Sequence, residues 1–160
     1  MKTLAIIPGS YDPFTTGHYS LVRRAADIFD EVVVLVCQNF EKTYLFDSAE
    51  RLEIARDSVA DLDNVRVEIH SGWLYDYLNL HKPCVLVKGV RNGEDFIYER
   101  KMAEFNFEKS GVETVFLPSE PDETDTSSTK VRALLDSSDD WKSLISQNAQ
   151  KTIEKFYAGK

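Results

Sequence analysis

The sequence predicts an α/β fold: a doubly wound, five-stranded parallel sheet of the Rossmann-like type, finished by C-terminal helices. Three observations predict it. Apolar runs of strand length alternate five times with segments of helical spacing. Most of those runs are nearly continuous, as in strands covered on both faces. The chain has 160 residues, of which 42 % are hydrophobic and 29 % charged, enough for a sizeable core without a disulfide or structural metal. One domain spanning residues 1–160 is expected.

Thr3-Leu-Ala-Ile-Ile7 is the first apolar run, closed by Pro8-Gly9. From Gly17 to Asp30, Leu21, Val22, Ala25, Ile28 and Phe29 recur at three- and four-residue spacing, an amphipathic helix. Glu31 to Cys37 is a β-branched second strand. A polar loop over Gln38–Phe46 leads to Asp47-Ser-Ala-Glu50, whose spacing is that of a capping box opening a helix to about Ala60. Asn64 to His70 alternates as a half-covered strand does, Trp73 to Leu80 is a short helix, and Pro83 to Val87 a fourth strand. Asp95 to Lys109 is helical, with Gly111 as its stop. Thr114 to Leu117 is the fifth strand, Ser119 to Thr129 an acidic loop, and Lys130–Leu135 and Trp141–Phe156 closing helices. Right-handed crossovers then give the order 3-2-1-4-5, with ligands above the carboxyl ends of strands 1 and 4.

Composition narrows the partners. Lys plus Arg total 19 against 27 for Asp plus Glu, a net charge of −8. That balance excludes broad binding to nucleic acid or anionic membrane, which needs a basic face. It leaves room for a small anion held by a few converging cations. No apolar stretch approaches a membrane span, and the first residues lack a signal-peptide pattern, so a cytoplasmic protein is expected. Cys37 and Cys84 fall in strand-like runs flanking strand 1, too far apart for a disulfide. They are expected as reduced thiols. Metal-ligand spacing is absent, whereas Mg²⁺ arriving on a nucleotide is compatible.

Three clusters carry the chemistry. The exit of strand 1 reads Pro8-Gly-Ser-Tyr-Asp-Pro-Phe-Thr-Thr-Gly-His18. Its glycines permit close backbone approach, Ser10 offers a hydroxyl, and His18 falls in the first turn of a helix whose N-terminus favours phosphate. An imidazole there can donate to charge developing on that phosphate. The exit of strand 4, Val87-Lys-Gly-Val-Arg-Asn-Gly-Glu-Asp95, puts Lys88 and Arg91 around Gly89, and Lys42 in the loop after strand 2 is a third cation. After strand 5, Thr126-Ser-Ser-Thr129 either caps the next helix or holds triphosphate oxygens. No Ser-His-Asp or Cys-His constellation is present, and His70 and His81 have no partner pattern.

These residues resemble the nucleotidyltransferase superfamily with the [HT]xGH motif, here Thr15-Thr16-Gly17-His18. Within it the match is to the bacterial phosphopantetheine adenylyltransferase family, in Pro8–His18, Lys88–Glu99 and Thr126–Arg132, over essentially the whole chain. The resemblance implies transfer of the adenylyl group of ATP to 4′-phosphopantetheine, giving 3′-dephospho-coenzyme A and pyrophosphate. His18 would then be catalytic and stabilise the transition state. Ser10, Lys42, Leu74 and Lys88 would hold phosphopantetheine, with Trp73 beside its arm. ATP would be bound by Ser10, Tyr11, His18, Gly89, Val90, Arg91, Glu99 and the segment Glu123, Thr124, Asp125, Thr126, Ser127, Ser128 and Thr129. A homohexamer, Mg²⁺ carried with ATP and coenzyme A as a feedback ligand are also implied. Lys88 stands where many members have Arg, and Gly72-Trp73 and Thr126 also depart from the usual pattern. Two other readings stay open on residues alone: a related transferase acting on nicotinamide mononucleotide, or on a polyol phosphate with CTP, and a non-catalytic nucleotide-binding module.

Overall fold

In the computed structural model, which describes residues 1–123 and 125–160, five strands form one parallel sheet. They are β1 (Leu4–Gly9), β2 (Glu31–Gln38), β3 (Val65–Ser71), β4 (Val85–Val90) and β5 (Thr114–Pro118), in the order β3-β2-β1-β4-β5. The helices are α1 (Thr16–Ile28), α2 (Ser48–Ser58), α3 (Leu74–His81), α4 (Gly93–Ser110), α5 (Ser128–Leu134) and α6 (Gln147–Tyr157). The expected topology is therefore the observed one.

Successive strand residues feed two cores, because side chains alternate across a sheet. Ala5 and Ile7 of β1 and Val32, Val34 and Val36 of β2 join one core with Val22, Ile54 and Ile153 from helices. Ile6, Val33 and Leu35 join the other, with Tyr77, Leu78 and Leu86. Central strands must be apolar on both faces, which is why their sequences do not alternate.

Several boundaries differ from the sequence reading, each for a local reason. β1 continues through Pro8 and Gly9, which pair with Leu35 and Val36. Its ladder with β4 ends earlier, at Ile6 opposite Leu86. Pro8, with no N–H to donate, sits where that pairing has stopped. α4 starts at Gly93 because the Asn92 side chain caps it, accepting from the Asp95 N–H at 2.8 Å. It ends as expected at Gly111, whose φ of +72° is the left-handed stop. The acidic loop contains a 3₁₀ turn, Pro121–Glu123. The long closing helix is in fact two pieces, a 3₁₀ segment over Asp139–Leu144 and then α6, because Ile145 is extended between them.

Asp47 and Glu50 form the expected capping box, each side chain bonded to the other's backbone N–H at 2.9 Å. Cys37, at the carboxyl end of β2, and Cys84, before the start of β4, are both free. No helix among the described residues is long and apolar enough to cross a membrane.

Candidate active site

The site grows from the divergence of β1 and β4 at their carboxyl ends. Beyond Ile6 these strands no longer pair, and the crevice between them is the switch point of the winding. Gly9 lines it for a steric reason. A Cβ there would lie 2.9 Å from the Tyr11 ring, so only glycine lets that ring fold back over the strand end. Tyr11 itself has φ +51°, held there by a hydroxyl that donates to the Ile7 carbonyl at 2.7 Å. A buried tyrosine in the left-handed region is strained, and such strain concentrates at functional loops.

The Tyr11 ring meets His18 edge-on, with centroids 4.9 Å apart, and Phe14 packs on the imidazole at 5.3 Å. The Thr15 backbone N–H donates to His18 Nδ1 at 2.9 Å. Thr15 Oγ1 in turn accepts from the His18 backbone N–H at 3.4 Å, so the threonine and histidine make a second capping box. This bond assigns the tautomer, because a nitrogen that accepts a backbone N–H cannot carry the proton. Nε2 therefore bears it and is the donor available to a ligand. Burial, then the nearby Arg91 and Lys88 cations, lower the imidazole pKa from 6.5 to about 4. At neutral pH His18 is an uncharged, oriented N–H donor.

Two cavities meet at this point. The first, about 390 Å³, is lined by Gly17 and His18 of α1, Gly89 near the end of β4 and Arg91 just after it, and Glu123 with Thr126–Thr129 after β5. The second, about 620 Å³, is lined by Ser10, Lys42, Trp73, Leu74, Met102 and Asn106, a more apolar wall. Pro8, Gly9, Lys88 and Glu99 border both. Lys88 Nζ lies 3.3 Å from Glu99 Oε2, an ion pair standing between the two volumes.

The predicted residues thus divide between adjoining volumes. Tyr11, His18, Gly89, Arg91, Glu123, Thr126, Ser127, Ser128 and Thr129 line the first; Lys42 and Leu74 line the second. Ser10, expected at both reactants, lines only the second. Val90 and Asp125 line neither. The Val90 carbonyl instead accepts from the Ser119 N–H at 2.8 Å, tying the exits of β4 and β5 together. Thr124 lies outside the described residues. The hydroxyl cluster has local partners: Ser127 caps α5 through the Lys130 N–H, Ser128 donates to the Pro13 carbonyl, and Thr129 accepts from Arg132.

Four carboxylates also border the first cavity, and each has a partner. Asp95 accepts from the Arg91 N–H, Glu99 faces Lys88, Glu120 faces Arg23 and Glu123 accepts from the Thr16 hydroxyl. The Arg91 and Lys42 side chains form no ion pair among the described residues. Those two cations remain available to anionic ligands.

The sequence reading missed three polar side chains that build this site. Asp12 is 6 % exposed and accepts from the Leu45 and Phe46 N–H groups, both at 2.9 Å. Arg132 donates to the Asp12 carbonyl at 2.6 Å. Arg51 is wholly buried and donates to the Ser10 carbonyl at 2.5 Å. A signal for Arg51 existed, since Arg51, Ile54, Ala55 and Ser58 share one helical stripe. His70 and His81 are locally engaged: His70 Nε2 lies 2.9 Å from the Trp73 carbonyl and His81 Nδ1 lies 2.7 Å from that of Tyr77.

The cytidylyltransferase-like family matches residues 6–134, which hold the sheet from Ile6 of β1 onward and all three clusters. A phosphopantetheine adenylyltransferase of Kocuria rhizophila is 43 % identical over 151 residues, covering 94 % of this chain and 97 % of that protein. One from a Nocardioides species is 50 % identical over 115 residues, 72 % of each chain. Among solved structures, a putative nicotinate-nucleotide adenylyltransferase of Vibrio parahaemolyticus superposes with a TM-score of 0.73 at 15 % identity, covering 100 % of this chain and 98 % of that one. A nicotinic acid mononucleotide adenylyltransferase of Plasmodium falciparum, complexed with APC, gives 0.69 at 18 % identity over 98 % and 96 %. At those identities the structural likeness speaks for the fold alone, while the sequence likeness reaches across nearly the whole length of the Kocuria protein. A chain with this sheet, this histidine-capped helix and that degree of identity belongs to the phosphopantetheine adenylyltransferase family of nucleotidyltransferases.

Proposed function

We propose that this chain transfers the adenylyl group of ATP to 4′-phosphopantetheine, giving 3′-dephospho-coenzyme A and pyrophosphate, a step of coenzyme A biosynthesis. The observation that carries the reading is the meeting of two cavities at Lys88, beside an oriented His18 Nε2–H. ATP occupies the first cavity and the acceptor the second. An oxygen of the acceptor phosphate attacks the α-phosphorus in line; the bond from that phosphorus to the bridging oxygen breaks, and pyrophosphate leaves with its electron pair. No enzyme-bound intermediate forms, so catalysis consists of positioning and charge stabilisation.

In this reading His18 Nε2–H donates to a non-bridging α-phosphate oxygen, where negative charge develops. Lys88 leaves Glu99 and bridges the two phosphates, while Arg91 draws the β,γ end of ATP. Ser10 and Lys42 hold the acceptor phosphate, and Trp73 and Leu74 line the path of its pantetheine arm. Tyr11 acts through packing against the imidazole, since its hydroxyl is already bonded to Ile7. Gly89, Glu99, Glu123 and the stretch from Thr126 to Thr129 complete the nucleotide side.

No three His, Cys, Asp or Glu side chains among the described residues are grouped to hold a metal ion. A site without a protein cage suits Mg²⁺ carried on ATP by phosphate oxygens and water. That ion would neutralise charge on the leaving pyrophosphate. Coenzyme A shares the pantetheine arm, so the second cavity would also take it as a feedback ligand. The exposed Phe96, Ile97 and Tyr98 of α4 support self-assembly into a homohexamer. The two unbridged cysteines suit a cytoplasmic protein.

The test is pyrophosphate release from a panel of acceptors and nucleotides. Turnover is expected with ATP and phosphopantetheine. Faster turnover with nicotinamide mononucleotide, or with CTP and a polyol phosphate, would transfer the assignment to another acceptor; binding without turnover would make the chain a nucleotide-binding module. Lys88→Met is expected to lower kcat/KM by about 10- to 150-fold, corresponding to ~1.5–3 kcal/mol for a lost charged hydrogen bond. It removes the one cation that borders both cavities among the described residues, so both substrates should show the loss.

A further inference from the structure

Arg51 is fully buried on the stripe of α2 that faces the sheet, yet no carboxylate accepts from it among the described residues. Its hydrogen-bonding partners are uncharged. Nη1 donates to the carbonyls of Ser10, at 2.5 Å, and Cys37, at 3.1 Å, and Nη2 donates to Gln38 Oε1. The guanidinium carbon lies 3.9 Å over the Tyr44 ring, and the Tyr44 hydroxyl accepts from the Asn39 N–H at 3.0 Å. Nε has no hydrogen-bond partner among the described residues. Burying a cation on neutral oxygens with one donor unmet is a poor way to stabilise a fold. It is an effective way to fix several backbone segments relative to one another, because the guanidinium is a rigid planar fork.

The segments it joins are those of the second cavity. Ser10 is the exit of β1, and Cys37 and Gln38 are the exit of β2. Tyr44 belongs to the loop of residues 39–46 that carries Lys42. The far end of that loop is held separately, through Leu45 and Phe46 on Asp12. We propose that Arg51 is a positioning residue for the acceptor, bracing Ser10 and the Lys42 loop so that both can grip one phosphomonoester. This rests on the reading of the second cavity as the acceptor site. None of its contacts reaches a residue exclusive to the ATP side, so the brace should act on one substrate only.

Arg51→Lys keeps the charge but loses the planar fork and the flat face over Tyr44. It is expected to raise the KM for phosphopantetheine about tenfold or more, since small displacements of positioning groups are expensive. The KM for ATP should stay within about twofold. In the ligand-free enzyme, amides of residues 39–46 should exchange with deuterium about tenfold faster, while those of β1, β2 and α6 keep their rates. Unchanged kinetics and exchange, or an equal loss for both substrates with faster exchange throughout, would overturn the proposal. Should Arg51→Lys not fold, Tyr44→Leu leaves Arg51 in place, and an unchanged phosphopantetheine KM there would be equally fatal. If wild-type enzyme fails to turn over phosphopantetheine while loop exchange responds as stated, the acceptor is refuted and the brace stands.

Discussion

His18→Ala is expected to lower kcat by about 10²–10³-fold, or ~2.7–4 kcal/mol of transition-state stabilisation, with a much smaller change in either KM. The size follows from what is lost. In the proposed mechanism the variant removes a donor aimed at the position where charge develops, a contact that strengthens only as the transition state forms. It also removes the acceptor of the Thr15 N–H at the start of α1. His18→Asn separates the two effects, because its shorter side chain can still cap the helix while falling short of the cavity. Steady-state kinetics of both variants, with thermal melts, measure this. Turnover of His18→Ala within about fivefold of wild type would remove the imidazole from the chemistry.

The same geometry predicts the pH dependence. The imidazole pKa is lowered to about 4, mainly by burial. The neutral form is therefore the folded form, and its contribution to stability is complete above the unfolded value of about 6.5. It is lost as pH falls through 6.5 toward the folded value of about 4. Protonating Nδ1 would set an N–H against the Thr15 N–H, two donors facing each other, and break the helix cap. Activity should thus be insensitive to His18 between pH 7 and 8 and decline in the acid range. A profile for kcat that breaks near 6.5 in wild type and not in His18→Gln would contradict the lowered pKa.

Asp12→Ala is expected to be the most destabilising polar substitution at the site, by about 3 kcal/mol, with Tm reduced by ~6–12 °C. Its carboxylate accepts two backbone N–H groups from the loop before α2, and Arg132 Nη1 lies 3.9 Å away. Phe46, one of those donors, is fully buried, so water cannot replace the lost acceptor. The Arg132 guanidinium is partly exposed, and its ion pair with Asp12 contributes little by comparison. Asp12→Asn keeps one acceptor oxygen and should recover part of the loss. Chemical denaturation of the three proteins tests this; a change below ~0.5 kcal/mol for Asp12→Ala would show that the loop finds other acceptors.

The strands and helices were legible because their signals are local. Five apolar runs, the Asp47–Glu50 box and Gly111 each state their structure within a few residues, and the winding rule turns their order into a topology. The C-terminal split was less visible, since Ile145 and Ser146 fit a helical pattern and only the extended backbone at Ile145 interrupts it. Much of the site was legible too, because Gly17, His18, Lys88 and Arg91 sit at strand exits where any such sheet binds its ligands. The role of Tyr11 was not, because its left-handed backbone and inward hydroxyl depend on Gly9 yielding space for the ring.

By itself, the sequence determined the fold, the meeting of three distant clusters and membership of the adenylyltransferase family. These follow from apolar periodicity, turn residues and motif order, which are short-range properties of the chain. The tertiary structure alone decided which ring nitrogen of His18 carries the proton, that Lys88 stands between two cavities, and that a buried arginine spans two strand exits and a loop. Those outcomes depend on hydrogen bonds and burial between residues far apart in sequence, whose energies exist only once the β1–β4 crevice has formed.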